Sequence, residues 1–262
     1  MKTDICNILD PFHKEDLQNT LHPSIYTEHT NYNILILRFP TQNEDNKIIL
    51  VSQGIVFLKD DIFIYEPEND SFIPFEFNWK SLYKFLDKNI NNAMDIINDL
   101  HEQVIDMEEL LYSEEPNKAF LENWFKIKKD LILINRILLR TIIAYEQFYK
   151  KNEKDITPLL TNFHDLREHL TRSQRLVEHN IEKLNTIYSF YSARSNDKMN
   201  YSIYILTILS AIFLPLNLMV GFFGMNTGSL PFIDPGGTSR VLLLLGSTFL
   251  ILFLFLIFRG KK

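Results

Sequence analysis

The chain of 262 residues carries 33 acidic and 27 basic side chains, a net charge of -6, and one cysteine. That balance offers no basic stripe for nucleic acid, and Cys6 alone makes neither an internal disulfide nor a metal cluster. The acids are unevenly spread, with only Asp234 among the last sixty residues, so the tail is a different material from the rest.

The opening MKTDICNILD holds two acids and lacks the apolar stretch of a secretion signal, so the N-terminus is expected to stay in the cytoplasm. His13, His22 and His29 show no ligand spacing and receive no role. Between Asn31 and Glu66, the stretches NYNILILRFP, NKIILVS, GIVFLKD and DIFIYEP show β-branched and aromatic runs broken by Pro, Gly, Asn and Asp. They predict the strands of a small sheet, within a cytoplasmic α/β region over residues 1–77.

Residues 78–200 read as a helical bundle and stalk. Leu82, Phe85, Leu86, Ala93, Ile97, Leu100, Val104, Met107 and Leu111 recur at helical spacing until Pro116 stops the pattern. A second helix is expected over 117–150. Its LILINRILLRTIIA is greasy, but Arg136 and Arg140 argue against a membrane span, because a charge at mid-bilayer costs about 2.5–3.5 kcal/mol; the run is expected as a buried bundle helix. From Asp155 a seven-residue repeat places Ile156, Phe163, Leu170, Val177, Leu184 and Tyr191 in one row. Leu160, Ile181 and Tyr188 form the other row, which Arg167, Gln174 and Ser195 interrupt. Trp79 and Trp124 are expected as core or interface aromatics.

No stop signal separates this stalk from YSIYILTILSAIFLPLNLMVGFF, so stalk and first span are expected as one continuous helix. At 1.5 Å per residue, 201–223 and 241–258 give about 34 and 27 Å, near the roughly 30 Å of bilayer hydrocarbon. Residues 224–240 then form an outer loop. Arg194, Lys198, Arg259, Lys261 and Lys262 flank the pair against Arg240 in the loop, which places both termini in the cytoplasm of a multi-pass inner-membrane protein, with 259–262 a basic tail.

The first span contains no Asp, Glu, His, Lys, Arg or Cys, so an ion beside it meets only hydroxyls, amides, thioethers and carbonyls. A proton relay or a dehydrated zinc site would ordinarily show ionisable groups there. Magnesium sheds water reluctantly, and neutral dipoles that hydrogen-bond its hydration shell are a sensible lining. Asn200, Ser202, Thr207, Ser210, Asn217 and Asn226 supply such dipoles, and Pro215 frees the carbonyl of Ala211.

LTILSAIFLPLNLMVGFFGMN, ending in Gly224, Met225 and Asn226, resembles the first span of the CorA family of divalent cation channels. The likeness extends to the whole layout: an α+β cytoplasmic domain, a long stalk helix, two C-terminal spans and a basic tail. It implies a homopentamer lined by the first span, with Asn226 receiving a hydrated cation at the outer mouth and Gly224 presenting its carbonyl. Ile203, Leu206, Thr207, Ser210, Leu214 and Asn217 would line the path. Asn200 falls at the family's cytoplasmic pore asparagine, with Asn196 as an alternative, and Leu206 and Leu214 fall at its hydrophobic constrictions. The loop NTGSLPFIDPGG resembles instead the NxGGxP loop of the zinc-transporting ZntB branch, so magnesium, with cobalt or nickel, and zinc both stay open.

On the stalk, His164 with Glu168 and Asp165 with His169 have i,i+4 spacing. Asp165 falls near the family's regulatory magnesium aspartate; the plainer reading is a solvated, charge-balanced helix face. No resident cofactor and no enzyme constellation is expected. The expected partners are further copies of the chain, the lipid bilayer and divalent metal ions. A membrane-anchored scaffold or sensor without transport is the rival of another class.

Overall fold

The computed structural model describes residues 5–59, 61–76, 78–113, 118–225, 231–232 and 236–259. The chain divides into two compact units, Met1–Ser189 and Phe190–Lys262. The first holds a five-stranded antiparallel sheet in the order β1 (Ile25–Glu28), β2 (Asn33–Gln42), β3 (Ile48–Phe57), β4 (Ile62–Glu66), β5 (Ser71–Phe75). Each strand pairs with its neighbour in sequence, because short turns allow nothing else. In the β2–β3 hairpin, Asn46 takes a left-handed conformation (φ 54°), which Asn tolerates, and the Asn43 side chain accepts from the Lys47 amide at 2.8 Å.

The sheet departs from the expectation at Gly54. The two runs NKIILVS and GIVFLKD are one strand, β3, paired with β2 from Gln42↔Ile48 to Asn33↔Phe57. Gly54 is a site of close approach: a Cβ there would strike the Leu17 side chain and lie 3.0 Å from Tyr65 Cβ. That space lets α2 (Pro11–Gln18) lie on the sheet, where Leu9, Leu17, Tyr32, Ile34, Ile36, Val56 and Tyr65 form one core cluster. α1 (Ile5–Ile8) adds Ile5 to it. The Asp10 carboxylate caps α2 by accepting from the Phe12 amide at 2.8 Å.

Arg38 closes the other end of α2. Its fully buried guanidinium donates to the carbonyl of Asp16, one of those that the last turn of a helix leaves without partners, and to the carbonyls of Asn19 and Pro23 just beyond the helix. Burial pushes its pKa down to about 10, and nearby Asp16 pulls it partly back.

Three long helices complete the unit: α3 (Trp79–Ser113), α4 (Lys118–Asn152) and, after a 3₁₀ turn at Thr157–Leu159, the first part of α5 (Leu160–Phe223). The Asn78 side chain caps α3, accepting from the Ser81 amide at 2.7 Å. Leu82, Leu86, Ala93, Ile97, Leu100, Val104, Met107 and Leu111 of α3 are buried. Trp79 packs edge-on to Phe163, and Trp124 donates its indole N–H to the Leu184 carbonyl at 2.8 Å. Sheet and bundle are tied by Thr141, whose buried hydroxyl donates to the Arg38 carbonyl and meets Ser24 Oγ, both at 2.9 Å.

Two expectations about the bundle are corrected. The first heptad row is buried from Ile156 to Leu184, but the second buried row is Leu166, Ser173, Asn180 and Ile187, three residues on and not four. Leu160 and Tyr188 of the expected row are exposed, while Gln174, which interrupts it, is buried beside Ser173. A helix keeps i and i+3 on one face as readily as i and i+4, and the polar Ser173 and Asn180 disguise the true row. α4 is buried on one face only: Ile127, Leu131, Ile134, Leu138, Tyr145 and Phe148 face inward, while Phe125, Ile132, Leu139 and Ile143 are exposed.

The second unit contains the rest of α5 and α6 (Gly237–Arg259). Both helices are long and apolar enough to cross a membrane. α5 runs unbroken through Pro215 to Phe223, and Gly237 is required where α6 starts, because a Cβ would collide with the Phe232 carbonyl.

Candidate functional site

Most of the residues singled out in the first span fall on one side of α5. At 100° per residue, Ile203, Leu206, Thr207, Ser210, Leu214, Asn217 and Gly221 occupy an arc of about 100°, and all are exposed within the unit. The opposite side holds Ile208, Ile212, Pro215, Leu216, Met219 and Phe223, which are buried or half-buried. α6 packs nearby, with Thr248 Oγ1 lying 3.9 Å from Met219 Sδ. One helix thus presents a packed greasy side and an unpacked side of mixed hydroxyl, amide and aliphatic groups. Asn200, also exposed, continues the unpacked side one turn toward the N-terminus.

The Thr207 hydroxyl on this side, and that of Ser202 beside it, are oriented by their own helix. Thr207 Oγ1 donates to the Ile203 carbonyl at 2.8 Å, and Ser202 Oγ donates to the Lys198 carbonyl at 3.1 Å. With the proton spent, the oxygen of each of these exposed residues is left as an acceptor. A hydrated cation points its water hydrogens outward, so acceptors are the complement it needs.

At the end of α5 the Gly224 amide donates to the Val220 carbonyl at 2.8 Å and the Met225 amide to the Phe222 carbonyl at 3.3 Å. A Cβ at Gly224 would stand 3.0 Å from the Val220 carbonyl oxygen, so glycine keeps this last turn relaxed. Met225 is exposed. Asn226 lies outside the described residues, as does Asp234.

The stalk pairs lie within the first unit. His164 Nδ1 is 3.8 Å from Glu168, and His169 Nε2 is 3.5 Å from Asp165. No third His, Cys, Asp or Glu joins either pair among the described residues. Three arginines, Arg167, Arg172 and Arg175, line the trough that holds His164 and Glu168. Asn196 is exposed on α5, four residues before Asn200.

Sequence reasoning passed over two features. The N-terminal histidines are engaged: His13 Nδ1 meets the Tyr32 hydroxyl at 2.7 Å, His29 stacks on Tyr32 at 4.8 Å, and His22 Nδ1 lies 2.8 Å from Asp16. Folding alone brings these groups together, since no spacing in the chain announces it. The arginine trough was equally hidden, although the spacing 164, 167/168, 171/172, 175 is that of a single helix face.

A small antiparallel sheet with helices, then a long helix and a second apolar C-terminal helix, defines an α+β chain ending in two membrane-length helices. Residues 78–262 match the family described as CorA-like Mg2+ transporter protein, and the chain belongs to that family. Among curated relatives it is similar to the zinc transport protein ZntB of Yersinia enterocolitica, 26% identical over 59% of this chain and 46% of that one. It is also similar to the cobalt/magnesium transport protein CorA of Thermotoga maritima, 23% identical over 57% and 43%. The chain spans about half the length of these relatives. Among solved structures, the CorA magnesium transporter of Methanocaldococcus jannaschii superposes with a TM-score of 0.79 at 18% identity, covering 99% of this chain and 86% of that one. The full-length CmaX protein gives 0.69 at 18% identity, covering 96% and 81%. These likenesses establish the fold.

Proposed function

We propose that this chain is one subunit of a homo-oligomeric, inner-membrane path for hydrated divalent cations, with magnesium the main substrate. The supporting observation is the uncharged, unpacked side of α5 from Ile203 to Gly221, where the Thr207 hydroxyl oxygen is left as an acceptor. Two membrane-length helices per chain are too few to enclose water, so the path needs several copies. The number five comes from the family resemblance. Asn226 receives the solvated ion at the outer mouth, Gly224 and Met225 shape the turn before it, and Leu206 and Leu214 narrow the path. Both termini face the cytoplasm. A divalent ion moving inward through 100 mV gains about 4.6 kcal/mol, twice the figure for one charge, so no fuel is needed.

Cytoplasmic divalent ions hold the path closed at the stalk, and Asp165 with His169 is the better placed pair. His164 with Glu168 shares its trough with three arginines, which repel a cation. A zinc-transporting reading keeps one specific support, the NTGSLP loop with its likeness to ZntB; the absence of imidazole and thiolate from the first span favours magnesium.

Flux of Mg2+ and Zn2+ into proteoliposomes tests the reading. Asn226→Ala is expected to abolish uptake while oligomers of unchanged size still form. Normal flux in that variant contradicts the assignment, and a wild-type protein that moves neither ion leaves the anchored scaffold.

A further inference from the structure

The trough on α5 points to a ligand of the opposite sign from the transported ion. His164, Arg167, Glu168, Thr171, Arg172 and Arg175 line a space of about 410 Å³ along three turns of the helix. Arg167 is committed: its Nε and Nη2 lie 3.0 and 2.9 Å from Glu146 on α4. Arg172 and Arg175 are exposed and have no carboxylate partner among the described residues. In a protein with a net charge of -6, two adjacent unpaired guanidiniums on one helix face are a local excess of positive charge. Two more arginines, Arg136 and Arg140, are exposed on α4, along the stretch where Asn135 meets Gln174 and Glu146 meets Arg167.

We infer that this trough binds a phosphate-bearing anion through Arg172 and Arg175. Each guanidinium is a planar fork with five donors and no acceptor, shaped for bidentate contact with phosphate oxygens. Spaced i,i+3, the two forks project from one face and can grip successive phosphates of one chain. With two such forks for two phosphates, the class is a di- or triphosphate. Thr171 contributes no donor, because its hydroxyl is spent on the Arg167 carbonyl at 2.9 Å. Glu168 stands 3.8 Å from His164 and sets the limit on how far along the trough the anion extends. The site lies on the same helix that carries the candidate ion path, outside the stretch assigned to transport.

Calorimetric titration of the full-length protein in detergent, without divalent metal, tests this with inorganic pyrophosphate, tripolyphosphate and ATP as probes and sulfate as the control. The expected result is saturable binding of the phosphate probes, weakened about tenfold or more in R172Q/R175Q, while R172K/R175K retains part of the affinity because it keeps charge and loses the forks. ATP equal to tripolyphosphate identifies the phosphate chain as the ligand, and tighter ATP identifies a nucleotide. The proposal is overturned if no phosphate probe binds the wild type, if sulfate binds as tightly, or if R172Q/R175Q binds unchanged. It is also overturned if R172Q/R175Q shifts the oligomer on size exclusion and leaves anion binding unaltered, which assigns the arginines to contact with a second copy.

Discussion

His101 on α3 and Asn180 on α5 meet inside the helical bundle, with Nδ1 and Oδ1 2.8 Å apart and Asn180 fully buried. This polar contact sits in the second buried row of α5, and the Asn180 amide nitrogen has no partner among the described residues. Removing one member of a buried pair costs about 1–3 kcal/mol, whereas replacing both by apolar groups can be nearly neutral. Asn180→Ala is therefore expected to lower the melting temperature by several degrees, on the scale of about 2–4 °C per kcal/mol. The double variant H101L/N180L should lose less than the sum of its single changes. Additive losses, read by circular dichroism in detergent, would show that the contact carries no coupling.

That row explains what the sequence concealed. Ile156, Phe163, Leu170, Val177 and Leu184 were legible because every one is apolar. Their partner row was misread because Ser173 and Asn180 look like surface residues, and Tyr188 looks like core. Tyr188 is instead stacked on Trp124 at 4.8 Å with its outer face in solvent. The strands were legible at β2 and β4, whose apolar runs are continuous. β1 and β5 are short and only half-buried, so their patterns carry little signal. At the candidate site, residue types and the order Gly-Met-Asn were readable, and helical geometry puts Thr207, Ser210 and Asn217 on one side. What covers that side was not readable, because the unpacked residues of one chain carry no mark of what lies against them.

Gly54 offers a test of the sheet. Because a methyl group there would press on Leu17 and on Tyr65 Cβ, Gly54→Ala is expected to cost about 1–3 kcal/mol by overpacking. The strain should concentrate where α2 meets β3, so faster amide exchange in residues 11–18 is the specific sign. Unchanged exchange there, with unchanged stability, would mean that α2 does not bear on Gly54.

Asp70 carries a pH signature. The Gln18 amide, at 2.9 Å, and then the Tyr65 hydroxyl, at 2.8 Å, hold its pKa below the usual 3.8. A carboxylate whose folded pKa is depressed adds stability above its unfolded value and loses it as pH falls through the folded one. Asp70→Asn keeps a residue that tolerates the left-handed backbone found here (φ 45°) and removes the charge. The variant should melt below the wild type at pH 7, and the gap should close as pH falls below 3.8. A gap that stays constant down to pH 2 would assign the effect to shape and not to charge.

The unpacked side of α5 gives the sharpest separation between transport and anchorage. Thr207 spends its proton on the Ile203 carbonyl, so its oxygen can only accept from the waters around a passing cation. Thr207→Val keeps the volume and deletes that acceptor. Losing one net hydrogen bond of about 1 kcal/mol predicts a roughly fivefold fall in magnesium flux, while Thr207→Ser should retain most of it. Leu214→Ser acts in the opposite direction: wetting a greasy constriction should raise basal flux and weaken closure by cytoplasmic magnesium. An anchor has no reason to distinguish valine from serine at position 207. Equal flux from the two Thr207 variants, with oligomers of normal size, would remove this side of the helix from the ion path even if the protein conducts.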